Sequence, residues 1–235
     1  MNELDKQLTN TASLLEIDVF GIADLSKAKD FTRIQGGENI SNYPKAISIG
    51  IRLIDGIVNE LYRHEELTAI YTYKALYNTT NAKLDKTAHS IARFIQKAGF
   101  KAYPIPASQI VNPRKLEGAI SHKLVANLSG LGWIGKSCLL ISPEYGPRIR
   151  YATVLTDAPL ETGEPLDNRC GDCRECVDIC PVKAFTGVPF NPKEPRSVRF
   201  KAHSCKNYTD KREKTFGEGI CGLCVYACPY GKKNK

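Results

Sequence analysis

The spacing of apolar and polar residues changes period several times in the first two thirds of the chain. The N-terminal stretch to about Leu15 reads as a helix, and Val19-Phe20-Gly21-Ile22-Ala23 as a short strand. Ala46-Ile47-Ser48-Ile49-Gly50-Ile51-Arg52-Leu53 alternates and is rich in β-branched residues, the pattern of a strand with one face buried. The clearest helix runs from about Asn81 to Ala98. Leu84, Ala88, Ile91, Ile95 and Ala98 form one stripe there, and Gly99 supplies the stop. Ala102-Tyr103-Pro104-Ile105 reads as an edge strand, and Ile120, Leu124 and Leu128 return to helical spacing up to Gly130. Cys138–Ser142 and Arg150–Leu155 read as a strand hairpin turning through Pro143-Glu144-Tyr145-Gly146. These elements predict an α+β fold, with helices packed on a mainly antiparallel sheet.

Past about residue 160 the periodicity disappears into a loop-rich stretch dense in Cys, Gly and Pro. Thr156–Asn168, with Pro159, Gly163 and Pro165, reads as the connector, so two domains are expected, 1–160 and 161–235. A length of 235 residues suits one medium and one small domain, and 42% hydrophobic residues are enough for a real core. No apolar run approaches the ~18–20 residues of a membrane helix. The start, Met1-Asn2-Glu3-Leu4-Asp5-Lys6, has neither a basic nor an apolar signal region, which points to the cytoplasm.

Chemistry enters with the cysteines. One run is Cys170-x2-Cys173-x2-Cys176-x3-Cys180-Pro181, and a second is Cys221-x2-Cys224-x3-Cys228-Pro229. Three cysteines at two-residue gaps followed by Cys-Pro is the pattern that wraps a [4Fe–4S] cubane, with the fourth cysteine reaching to the other cluster. In the second run the leading cysteine would fall at Glu218, which is no soft sulfur ligand, and Cys205 upstream is the available substitute. The expected ligand sets are therefore Cys170, Cys173, Cys176 and Cys228 for one cluster, and Cys180, Cys205, Cys221 and Cys224 for the other. Zinc also takes Cys-x2-Cys pairs, and disulfides would need an oxidising compartment; both are the competing readings. Cys138, the ninth cysteine, lies in an apolar stretch and reads as packing.

The formal charge of +8 suggests an anionic partner. Eight ligating thiolates and two oxidised cluster cores would lower it to about +4. The basic tail Lys232–Lys235 and the stretch Lys206–Lys214 then read as solvated surface rather than a nucleic-acid groove.

Gly130-Leu131-Gly132-Trp133-Ile134-Gly135-Lys136-Ser137 fits both the dinucleotide fingerprint and the P-loop pattern. Either would need a strand before the loop and a helix after it, and here a helical pattern enters and a strand leaves. A nucleotide site is not expected. The loop still permits close backbone approach to a ligand, and Lys136 can meet an anion; the competing reading is a bare helix–strand connection. His122 and Lys123 are candidates at the start of the preceding helix, with surface exposure as the alternative. His89 and His64 read as solvated, and His203 as either a cluster neighbour or exposed.

Ser129–Lys136, Leu139-Leu140-Ile141, Thr156-Asp157, the first cysteine run, and the offset Cys205 before Gly219-Ile220-Cys221 together resemble the epoxyqueuosine reductase family, which is related to the reductive dehalogenases. The resemblance implies a nitroreductase-like cofactor domain carrying cobalamin, followed by a ferredoxin-like domain with two [4Fe–4S] clusters. It implies that the loop of Gly130, Gly132, Trp133, Gly135, Lys136 and Ser137 lies at the corrinoid, and His122, from its place at the start of the preceding helix, is expected to join it as a cofactor-binding residue. The family's tRNA-acting enzymes carry an acid ahead of the glycine loop, where this chain has Tyr103-Pro104-Ile105-Pro106-Ala107-Ser108-Gln109, and they continue past the clusters into a helical-repeat region. The expectation is an oxidoreductase fed by a ferredoxin- or flavodoxin-like donor and acting on a small molecule or on the corrinoid itself, with tRNA not the expected partner and no membrane. Alternatives are a non-catalytic electron carrier and a flavin-containing reductase. Tyr103, Tyr145 and Tyr151 are conceivable proton donors.

Overall fold

The computed structural model describes residues 3–232. The expectation for Lys233–Lys235 of the basic tail lies outside the described residues. In chain order the elements are α1 (Glu3–Leu14), β1 (Val19–Asp24), α2 (Lys29–Gly36), α3 (Glu38–Ser41), β2 (Lys45–Arg52), α4 (Asp55–Asn59), α5 (Leu67–Lys97), β3 (Ala102–Ile105), α6 (His122–Leu128), β4 (Trp133–Ile134), β5 (Leu140–Ile141), β6 (Ile149–Thr156), α7 (Glu175–Asp178), α8 (Ala202–Phe216) and α9 (Leu223–Ala227), joined by loops and short 3₁₀ turns. The fold is α+β. No helix among the described residues is long and apolar enough to cross a membrane.

The chain forms two compact units. The first comprises the residues up to Ile51, Thr80–Gly132 and Arg150–Leu166; the second comprises Arg52–Thr79, Trp133–Ile149 and the residues from Asp167 onward.

In the first unit a four-stranded sheet runs in the order β1-β2-β6-β3, with β1 antiparallel to β2 and β3 antiparallel to β6. The alternation seen in β2 does what its pattern predicts. Ile47, Ile49 and Ile51 join Ala152 and Val154 of β6 in a core that takes in Leu84, Ala88, Ile91 and Ile95 of α5 and Leu8 of α1. Because strand side chains alternate, Ser48, Tyr151 and Thr153 stand on the opposite face. β3 is an edge strand, which is where Pro104 is tolerated.

In the second unit the hairpin expected between Cys138–Ser142 and Arg150–Leu155 does not form. Leu140–Ile141 pairs instead with Trp133–Ile134, and β6 is an inner strand of the four-stranded sheet. The reason is local. Cys138 is not in a strand but closes a tight turn, its N–H bonding the Gly135 carbonyl at 2.9 Å with φ at +54°. That turn folds Leu140–Ile141 back onto the chain just before it. The helix expected from Asn81 begins earlier, at Leu67. Its first turns put Tyr73 and Leu76 into a second core with Leu53, Val58, Leu61 and Val225. A third cluster, Val177, Cys180, Ala184 and Phe185, lies among the cysteine loops.

Candidate metal centres

The second unit holds the cysteine runs, and each run is built the same way. Cys176 lies in α7 and Cys224 in α9, two short helices that pack together. Each helix is followed by Cys-Pro, whose proline cannot continue it, and by a turn: Lys183 N–H to the Cys180 carbonyl at 3.1 Å, and Gly231 N–H to the Cys228 carbonyl at 3.0 Å. None of the nine cysteines, all among the described residues, is in a disulfide.

The thiols fall into two neighbourhoods. Burial pushes Cys176 up to about 12, and the neighbouring Cys228, Cys170 and Cys173 push in the same direction. Cys228 is raised to about 11, first by burial, with Cys170 and Cys173 again its neighbours. In the other group, burial raises Cys205 to about 11, aided by Cys221 and Cys180. Burial also raises Cys221 and Cys224, and Cys224 feels Cys221, Cys205, Cys176 and Cys180 in that order. Cys224 and Cys176 are thus the point where the two groups touch. Thiols this reluctant to ionise must give up protons when a metal binds them.

Both neighbourhoods have the donor chemistry of an iron–sulfur site. A cavity of about 290 Å³ is walled by Cys180, Cys205, Cys221 and Cys224 with apolar Phe185 and Leu223. Backbone N–H groups already point at the sulfurs: Ala184 at Cys180 at 3.3 Å, Leu223 at Cys221, and Tyr230 and Gly231 at Cys228. Such N–H···S bonds stabilise thiolate ligands and help set cluster potentials. Glu218, at the position where a cysteine would complete the second run, is ion-paired to Lys74 at 2.9 Å.

The glycine loop divides between the two units. In the first, Gly130 adopts φ +79°, and a Cβ there would come within 2.8 Å of the Glu164 carbonyl, so only glycine fits. The Gly132 carbonyl accepts from Asn127 Nδ2 at 2.9 Å. In the second, Trp133 is buried, stacks edge-on against Tyr230 at 4.9 Å, and has no partner for its indole N–H among the described residues. Ser137 is buried. Lys136 is 8% exposed, and its Nζ donates to the carbonyls of Gly171 at 2.6 Å and Cys173 at 3.1 Å. The lysine of the P-loop-like motif therefore serves the first cysteine loop. Asn168 ties that loop to β4 as well, donating to the Ile134 carbonyl at 3.1 Å while its Oδ1 accepts from Cys170 N–H at 2.9 Å.

His122 belongs to the first unit. Its Nε2 donates to the Pro106 carbonyl at 2.9 Å, which leaves Nδ1 to accept from the Thr153 hydroxyl at 2.7 Å. Burial, with Arg150 and Lys123 contributing, holds the ring neutral down to about 4. His89 and His203 are exposed, and His64 is half-buried. Two features were not foreseen from the sequence. Ser48 Oγ, which gave no signal, and the OH of Tyr151, named only as a conceivable proton donor, lie on the sheet face turned from α5 and are buried without a hydrogen-bond partner among the described residues. In the Lys206–Lys214 stretch, expected to be solvated throughout, Arg212 is only 3% exposed because its guanidinium donates to the carbonyls of Ile220, at 2.6 Å, and His64.

Residues 169–231 match the family of 4Fe-4S double cluster binding domains. This stretch binds two [4Fe–4S] clusters. Around it, the chain is similar to epoxyqueuosine reductases: it is 33% identical over 125 residues to that of Lactococcus garvieae, covering 49% of this chain and 33% of the relative. The chain spans about a third of the length of the curated relatives it matches. The fold is shared with the epoxyqueuosine reductase of Streptococcus thermophilus (TM-score 0.61, 19% identity, 99% of this chain and 67% of that one). It is shared also with the catabolic reductive dehalogenase NpRdhA (TM-score 0.72, 17% identity, 97% of this chain and 32% of that one). The double cluster domain thus sits within an epoxyqueuosine reductase-like α+β fold.

Proposed function

We propose that this protein is an iron–sulfur oxidoreductase that takes low-potential electrons from a ferredoxin- or flavodoxin-like donor and delivers them through both clusters to a corrinoid-type cofactor. Cys170, Cys173, Cys176 and Cys228 hold the first cluster, and Cys180, Cys205, Cys221 and Cys224 the second. The observation that carries this reading is the division of eight thiols, Cys180 buried and the others half-buried, into two groups of four that cross between the runs. The adjacency of Cys176 and Cys224 supports electron passage from one cluster to the next. Thiolate-bound cubanes pass one electron at a time, at potentials that reach very low values.

In the first unit, the buried hydroxyls of Ser48 and Tyr151 fit a bound group that offers them hydrogen-bond partners, since orphaned buried polar atoms are rare in a folded protein. With Gly130 and Gly132 they are the residues proposed to hold the corrinoid. When bound, a corrinoid supplies the metal centre for reductive cleavage of a carbon–oxygen or carbon–halogen bond. His122 keeps the loop after β3 fixed to β6, and so orients the strand that carries Tyr151. The substrate proposed is a small molecule or the corrinoid itself rather than epoxyqueuosine in tRNA. A reducing compartment such as the cytoplasm suits the eight thiols.

Anaerobic purification with metal and cofactor analysis tests the reading. Iron and acid-labile sulfide near eight each per chain, a cubane EPR signal after dithionite, and retention of added cobalamin are expected. Zinc in place of iron overturns it. Clusters without corrinoid uptake would remove the corrinoid reductase and leave an electron carrier, or a flavin-containing reductase if flavin is extracted.

A further inference from the structure

Each group of thiols has one buried cation of its own. Lys136 leaves the glycine loop to donate to the carbonyls of Gly171 and Cys173, at 2.6 and 3.1 Å, inside the loop that begins with Cys170. Arg212 leaves the C-terminal half of α8 to donate to the carbonyl of Ile220, the residue before Cys221, at 2.6 Å, and to that of His64. Lys136 is 8% exposed and Arg212 3% exposed. Neither has a carboxylate partner among the hydrogen bonds of the described residues: both meet neutral carbonyls, and Arg212 also lies over the rings of Tyr208 and Phe216 at 5.7 and 5.0 Å.

Carbonyls and rings alone do not offset the cost of burying a full positive charge, which normally requires an anion nearby. An anion is what the two sites acquire when loaded. A cubane with four thiolates is negatively charged when oxidised and gains one further negative charge with the electron it accepts from the donor. Lys136 approaches the backbone of one ligand loop and Arg212 that of the other, and Arg212 already acts on the Cys221 thiol.

We propose that Lys136 and Arg212 are a matched pair of fixed cations, one for each cluster, each holding its ligand loop and stabilising the reduced state of its own cluster. The inference rests on the two-cluster reading and extends it. Charge inside a low-dielectric site acts over several ångströms without screening by salt, so each cation raises the reduction potential of the cluster beside it far more than that of the other.

The experiment is an anaerobic redox titration of the full chain followed by EPR, on wild type, Lys136→Gln, Lys136→Arg, Arg212→Gln and Arg212→Lys, with iron measured on every sample. Wild type holding eight irons establishes the two-cluster reading first; its failure there would be a failure of that reading and not of the pairing. Lys136→Gln is expected to shift one midpoint to lower potential and leave the other unmoved, and Arg212→Gln to shift the other one. The Arg and Lys replacements should return each midpoint toward wild type. If a Gln variant instead loses four irons while its charge-conserving partner keeps all eight, the pairing of that cation with one cluster also stands. Unmoved midpoints in fully loaded Gln variants, equal shifts in both clusters, or charge-conserving variants that behave like the Gln variants would overturn it.

Discussion

The carboxylate of Glu218 is held by Lys74 at 2.9 Å, with both side chains about one quarter to one third exposed. Glu218 occupies the position that a leading, evenly spaced cysteine would take in the second run, and its carboxylate is engaged by a lysine that lines the cysteine-walled cavity. Cys205 enters from α8 instead and lines the same cavity as Cys180, Cys221 and Cys224. Cys205→Ser is therefore expected to lower iron from about eight to about four per chain, whereas Glu218→Gln should leave it unchanged. Iron and sulfide analysis of anaerobically purified variants checks both. Iron loss in Glu218→Gln equal to that in Cys205→Ser would make the carboxylate a ligand.

Cys138 gives the opposite result. It is buried in the turn after Gly135 and is absent from both groups of neighbouring thiols. Cys138→Ala should keep all the iron and cost about 1 kcal/mol from lost packing, read from urea midpoints.

The legibility of the chain followed the range of the interactions. The cysteine spacing is a local code, so both runs could be read directly, as could β1, β2 and the later turns of α5. Residues 67–80 escaped because Tyr71, Tyr73 and Tyr77 do not form an aliphatic stripe; the apolar partners of Tyr73 lie at Leu53, Leu61 and Val225. Sequence order likewise suggests one cut near residue 160, while compactness groups 52–79 and 133–149 with the cysteine-rich stretch. The false hairpin arose from two genuine strands whose partners are not each other. Lys136 was noticed for its motif, but its acceptors lie 35 and 37 residues away, and no spacing rule connects them. Arg212 gave no signal at all, since one buried arginine among five neighbouring charges looks like any other.

The neutral ring of His122 makes the first unit sensitive to acid. The imidazole would take a proton near 6.5 when unfolded but only near 4 when folded, because it is buried beside Arg150 and Lys123, with Asp85 and the Pro106 carbonyl opposing weakly. Between those values the unfolded chain binds more protons. Stability is therefore lost as pH falls from 6.5 toward 4, by up to about 3 kcal/mol. His122→Gln, which does not titrate, should lose less stability over that range. The difference between variant and wild-type urea curves at pH 7 and at about pH 4.5 isolates this group from acid effects on the clusters.

Arg148 is the most deeply buried charge in the second unit, at 1% exposure, and it donates to Asp55 Oδ1 at 2.7 Å and Asn59 Oδ1 at 2.9 Å. Asp55 also pairs with Arg52. Asp55→Ala would strand the guanidinium in an apolar setting and is expected to cost about 3 kcal/mol. Arg148→Leu combined with Asp55→Ala should cost less than the sum of the two single changes, because the charge needing a partner is gone. Chemical denaturation of the four proteins closes the cycle, and additive losses would show that the pair is not coupled.

Gly135 links the glycine loop to Cys170 by closeness alone. Its backbone needs no special φ, so an alanine there introduces only a methyl group. That methyl would lie 2.7 Å from Ile141 Cγ1 and 3.4 Å from Cys170 Sγ. Ile141 is 2% exposed and paired in β5 with Trp133, so it has little room to retreat, and the strain must pass toward the sulfur. Gly135→Ala is expected to load the second cluster normally and to lose most of the first, about half the iron. Ile141→Ala in the same chain removes the atom at 2.7 Å and should recover that iron while lowering stability by about 2–4 kcal/mol through the cavity it leaves. Full iron in Gly135→Ala alone would mean that β5 moves more easily than its packing implies, and that the loop does not help position Cys170.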